Sequence, residues 1–82
     1  MIHIYRQLET VASNELLRLN ITGTVLSVRL VYTNYIPMLR ITFRSYVKLS
    51  VKLTEFERIE RDEEEKDLYY LYSPIDTQIQ IK

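Results

Sequence analysis

The sequence predicts an α+β fold, with an N-terminal helix packed on one face of a bent antiparallel β-meander of about four strands, all within a single domain over residues 1–82. Three observations predict it. Apolar residues near the N-terminus recur at helical steps, three later stretches alternate apolar and polar residues as half-buried strands do, and the chain is sized for one small core.

Ile4, Tyr5, Leu8, Val11, Ala12, Leu16 and Leu19 fall at three- and four-residue spacing, which favours an amphipathic helix over residues 6–19. A competing reading is a short strand through Ile2 and Ile4 followed by a helix capped by Ser13. Asn20 and Gly23 supply the stop and the exit, and the lone glycine is expected to take a positive φ there. His3, the one histidine, reads as a terminal surface residue.

Residues 24–33 alternate, with Leu26, Val28, Leu30 and Tyr32 on one face. If Asn34-Tyr35 is a two-residue turn, Leu30 faces Leu39, Val28 faces Ile41 and Leu26 faces Phe43, so apolar residues meet across the hairpin. Tyr35 is an unusual second residue for such a turn, which leaves a longer loop through Pro37 as the alternative.

Residues 39–53 carry the longest alternation. Leu39, Ile41, Phe43, Val47, Leu49, Val51 and Leu53 share one phase with Ser45, while Arg40, Thr42, Arg44, Tyr46, Lys48, Ser50 and Lys52 share the other. Fully extended, such a stretch spans about 50 Å, against a diameter of about 30 Å for a compact chain of this size. It is expected to bend near Ser45 and Tyr46 and to serve two hairpins.

Residues 55–66 fit either a surface helix through Phe56 and Ile59 or a hairpin turning at Glu63–Glu65, and the β-favouring Tyr-rich run after them favours the hairpin. Pro74 marks an edge or bulge. Ile75, Thr77, Ile79 and Ile81 then alternate with polar residues as a last strand, in a register that sets Leu53 against Ile75, Val51 against Thr77, Leu49 against Ile79, Val47 against Ile81 and Phe56 against Tyr72.

Net charge is zero but unevenly spread. Residues 1–54 hold seven Arg or Lys against two Glu, while residues 55–67 hold eight acids against three bases. The absence of cysteine leans towards a reducing cytoplasm, and no apolar run approaches the roughly twenty residues that cross a bilayer. No nucleophilic cysteine, glycine-rich phosphate loop or metal-binding His motif is present, so enzyme, cofactor and metal roles are not expected.

Two surfaces remain as binding candidates. Arg40, Arg44, Lys48 and Lys52 recur every fourth residue with Tyr46 among them, a row suited to a phosphate backbone or to an ordinary wet sheet face. Tyr69, Tyr70 and Tyr72 cannot all face one core, so at least one ring is expected at the surface, where tyrosine serves contacts well. The acidic run at 62–65 reads as a solvated loop or a docking point for a basic partner.

These features imply a non-enzymatic protein-binding module that self-associates, with an unidentified protein partner and a composition that suggests a small viral regulator or inhibitor. Nucleic-acid binding through the basic strand face is the alternative, and a structural assembly role comes third.

Overall fold

The computed structural model describes the backbone of residues 2–75 and the side chains of residues 8–75. It has one helix, α1 (Ile2–Arg18), and four strands, β1 (Thr24–Thr33), β2 (Ile36–Arg44), β3 (Arg58–Arg61) and β4 (Leu68–Pro74). The strands form one antiparallel sheet in the order β1-β2-β4-β3. The α+β class with an N-terminal helix on a four-stranded sheet is therefore as expected, whereas the strand order is not that of a sequential meander.

α1 is a single helix that begins four residues earlier than the periodicity suggested, and Ser13 lies within it rather than capping it. Its end is closed by a pair of backbone bonds, Ile21 N–H to Leu16 C=O at 2.8 Å and Asn20 N–H to Leu17 C=O at 3.1 Å, with Asn20 at φ 56. This is the Schellman arrangement, and the apolar contact that accompanies it is made by the buried pair Leu16 and Ile21.

Asn20, not Gly23, takes the left-handed position. Gly23 has a different task, because a Cβ there would lie 2.9 Å from the Arg44 carbonyl oxygen and 3.1 Å from the Phe43 ring. Absence of a side chain lets the helix exit press directly on the end of β2.

The β1–β2 hairpin turns through Asn34 and Tyr35 with positive φ at both, 52 and 67, as a primed turn requires. Leu30 faces Leu39 and Val28 faces Ile41 as expected. A bulge between Val25 and Ser27 then changes the phase, so Val25 rather than Leu26 faces Phe43 and Leu26 is turned to solvent.

Residues 39–53 are not one bent strand. β2 ends at Arg44, and Ser45 leaves the sheet: its hydroxyl donates to the Thr22 carbonyl at 2.7 Å and its N–H to the Asp67 carbonyl at 2.9 Å. Residues 45–57 then run as a strap that joins no ladder among the described residues and turns at Glu55 and Phe56 before β3. Leu49, Val51 and Leu53 still pack against the core while Lys48, Ser50 and Lys52 face water, so the alternation holds there with no ladder partner among the described residues.

The strap is required by the topology. β2 and β3 both run antiparallel to β4, hence parallel to each other, and a parallel pair needs a crossover that returns the chain to its starting end. Crossing on the helix side allows the strap to cover the core made by Leu8, Ala12, Leu16, Leu19, Ile21, Leu39, Ile41, Phe43 and Leu71. Phe43, Leu39, Ile41 and Leu71 are the largest fully buried side chains, each worth about 1.5–3 kcal/mol of burial.

Residues 58–74 are a hairpin, not a helix, but two residues out of the expected register: Arg58 instead of Phe56 faces Tyr72, and Phe56 is exposed. A two-residue slip keeps every side chain on its face, which is why the alternation alone permits it. Pro74 ends β4 opposite Met38. The expected pairings of Thr77, Ile79 and Ile81 lie outside the described residues.

Gly23→Ala is expected to lower stability by about 1–3 kcal/mol in urea unfolding, since the added methyl meets backbone that cannot swing away. An unchanged midpoint would mean that the helix exit and β2 are not in this contact.

Candidate functional site

The face of the sheet turned away from α1 and the strap is built by strand alternation. Leu39, Ile41 and Phe43 of β2 and Leu71 and Ser73 of β4 point into the core, so Arg40, Thr42, Arg44, Tyr70 and Tyr72 point out, half-buried by one another. Register places one residue from each strand in line: Arg29 opposite Arg40, Arg40 opposite Tyr72, and Tyr72 opposite Arg58. The Arg40 guanidinium lies 5.8 Å from the Tyr70 ring centroid, and that of Arg58 lies 4.3 Å from the Tyr72 ring.

The expected continuous basic row is therefore divided. Arg40 and Arg44 stand on the outer face, Lys48 and Lys52 are carried away by the strap on the helix side, and Tyr46 is exposed just after the point where the chain turns. The tyrosines divide too. Tyr69 points inward and stacks on Phe43 with centroids 5.4 Å apart, while Tyr70 and Tyr72 point outward. None of the three is fully exposed, because neighbouring arginines cover the outer rings.

A second grouping forms where the strap leaves the sheet. Tyr46, Lys48 and Tyr69 line a recess of about 400 Å³ with Arg61, Lys66 and Asp67. The Arg61 Nε is engaged there, donating to the Lys66 carbonyl at 2.9 Å. Neither Arg29 nor Arg58, which complete the outer row, belonged to the expected site. Their signal was present in the sequence only as phase, and it becomes a position once the register is known.

Acids neutralise much of the remaining cationic surface. Glu65 accepts from Arg44 at 2.9 Å. Arg18 at the end of α1 donates to Glu15 at 2.8 Å and to Glu57, whose carboxylate also receives the Thr54 N–H and hydroxyl and so ties the helix to the strap. Hydrogen bonding to Glu65 and to Glu15 raises the pKa of Arg44 and of Arg18 respectively.

The acidic run is ordered by its first member. Asp62 accepts the N–H groups of Glu64 and Glu65 at 3.1 and 2.9 Å and the Tyr70 hydroxyl at 2.7 Å. The Glu65 N–H, then Tyr70 and the Glu64 N–H, hold the Asp62 carboxyl below the ordinary carboxylate range, while the bond to Asp62, with burial, raises the Tyr70 phenol. Asp62 is thus the pivot of the β3–β4 turn.

Among the described residues, no group of three or more His, Asp or Glu is placed to hold a metal ion, and no helix is long and apolar enough to cross a membrane. No family model matches the chain, and no curated protein or solved structure matches it either.

The Asp62 bonds set a pH dependence. A carboxyl with a depressed folded-state pKa contributes stability that is present above the ordinary carboxylate pKa and lost as pH falls through the folded value; Tyr70, shifted up, contributes below the ordinary phenol pKa and loses it as pH rises through the folded value. Asp62→Asn is expected to melt lower than the parent at pH 7, with the two melting temperatures converging as pH falls below about 4. A gap independent of pH would contradict the assignment.

Proposed function

We propose that this chain is a non-enzymatic protein-binding module whose contact surface is the open edge of β1 with the tip of the β1–β2 hairpin, and whose first occupant is a second copy of the chain. The observation that carries the proposal is Tyr35. It is 99% exposed, yet it holds a left-handed backbone conformation at φ 67. That conformation costs an L-residue about 1–2 kcal/mol, and an exposed ring returns nothing to the isolated fold. Retained strain of this kind points to use at a contact.

The surroundings of Tyr35 support the same surface. Leu26, Leu30, Tyr32 and Ile36, each at least half exposed, lie on the same hairpin. β1 stands at the end of the strand order, and its sequence TVLSVRLVYT has one charge and no proline to discourage pairing. The bulge interrupts only its first residues, so the stretch from Val28 to the turn is a regular edge.

A second copy fits because two identical edges are self-complementary about a twofold axis in antiparallel pairing. With the axis at Leu30, the Tyr35 tip of each copy reaches the Val25 end of the other's β1. A cytoplasmic regulator or inhibitor, acting by occupying a partner's strand edge through this surface, is the role proposed. The lack of cysteine and the tyrosine-rich, glycine-poor composition agree with such a setting and with a small viral protein.

Tyr35→Gly provides a test with opposite signs. Relief of the turn is expected to raise the melting temperature by several degrees, while dimer affinity drops about tenfold with loss of the aromatic contact. Light scattering of the parent across micromolar concentrations should give twice the 9.9 kDa chain mass, and Leu30→Lys should give a folded monomer. A parent that stays monomeric, or a Tyr35→Gly variant that dimerises as tightly as the parent, would overturn the proposal.

A further inference from the structure

We infer that the outer sheet face is a docking surface for single-stranded nucleic acid, with Arg29 and Arg40 together gripping a backbone phosphate and the Tyr72–Arg58 end of the same row stacking a base. This surface uses the outward face of β1 through Arg29, not its backbone edge, and the inference does not rest on self-association.

The first support is a repulsion left in place. Arg29 and Arg40 sit directly opposite each other on neighbouring strands, a placement that costs stability when both residues carry the same charge. Three other arginines have acids, Glu15 and Glu57 to Arg18, Glu65 to Arg44, and Glu60 to Arg58 at 3.2 Å, and Arg61 donates to the Lys66 carbonyl. Among the described residues no carboxylate forms an ion pair with Arg29 or Arg40. The Arg40 Nε is moreover buried without a hydrogen-bond acceptor. Two arginines at opposed register positions, neither paired with a carboxylate among the described residues, are matched by an oxyanion that accepts from their outward N–H groups, and phosphate is the oxyanion guanidinium forks fit best.

The second support is planarity. Arg40 over Tyr70 and Arg58 over Tyr72 already hold flat cationic groups against rings. Unstacked bases take such surfaces, on either the aromatic or the guanidinium plane. At the usual strand spacing the row extends about 14 Å, enough for a short run of nucleotides. An acidic peptide would satisfy the arginines but leave the rings without a stacking partner. A duplex offers no unstacked base for the rings to take.

The same face bears opposing charge. Glu60 lies opposite Tyr70, one ladder step along, and Asp62 and Glu65 follow towards the turn. They bias the phosphate to the Arg29–Arg40 end and keep overall affinity modest.

The experiment is fluorescence anisotropy of a labelled 20-nucleotide oligodeoxythymidine titrated with the full chain. Saturable micromolar binding is expected in 50 mM salt, weakening about tenfold at 200 mM, as release of counterions from two or three phosphates requires. Arg29→Gln should weaken binding about five- to tenfold and flatten the salt dependence. Its melting temperature should be unchanged or raised, because the substitution removes half of a repelling pair at an exposed position. Tyr72→Leu should weaken binding at all salt concentrations, and Lys52→Gln on the strap should bind as the parent does. If Tyr72→Leu does not fold, Arg29→Gln still decides the matter. Absence of binding by the parent, unaltered binding by Arg29→Gln, equal affinity for duplex, or equal competition by tripolyphosphate or a poly-glutamate peptide at matched charge would each overturn the inference.

Discussion

The fold depends on one crowded corner, where the helix exit, the end of β2 and the β3–β4 turn meet. Gly23 lies against the Arg44 carbonyl, the Ser45 hydroxyl donates to Thr22, and the Ser45 N–H donates to Asp67. Ser45 is 2% exposed, so these bonds are made where water cannot substitute for them, and losing one leaves a buried polar group unpaired. The corner ends β2 at Arg44 and directs the chain away from the sheet. Everything after it, the strap, the outer strand β3 and the returning strand β4, is placed by that departure.

Insertion of β4 between β2 and β3 has two consequences for binding. It brings Tyr70 and Tyr72 alongside Arg40, building an outer face of alternating rings and guanidinium groups that neither β2 nor β4 carries alone. It also leaves β1 at the rim of the sheet. A sequential meander would have left β1 at an edge as well, but it would have separated β2 from the tyrosines by a whole strand. The outer face therefore follows from the strand order, and the open edge from the β1–β2 hairpin.

Periodicity made the faces legible before the neighbours. The phases of residues 27–33, 39–44 and 48–53 survive in the structure, as does the Asn34-Tyr35 turn, while the bulge turns Leu26 out and Val47 is left exposed. What alternation does not encode is whether an extended segment finds a ladder partner, since a strand edge and a strap across a core demand the same inward and outward residues. Leu49, Val51 and Leu53 meet that demand by packing on the core, with no ladder partner among the described residues. Gly23 was legible as a constrained position, though a positive φ and a close approach leave the same mark in sequence, and here Asn20 took the first. The bulge at Val25–Ser27 and the two-residue slip of the β3–β4 hairpin depend on turn and loop geometry that local residue types do not determine. Arg29 and Arg58 were missed for the same reason: each is unremarked on its own strand and acquires a partner only across the sheet.

Hydrogen exchange resolved by residue addresses the placement of β4 and the strap most directly. Amides of residues 39–44 and 69–73 should be protected together, as neighbouring central strands that open only with the whole domain. Amides of residues 47–53 should exchange orders of magnitude faster, because among the described residues the strap is held by side-chain packing and its backbone joins no ladder. Protection of residues 47–53 equal to that of β2, with residues 69–73 exchanging freely along one side, would mean that the long alternation is a continuous strand after all and that the arginine–tyrosine face is not assembled.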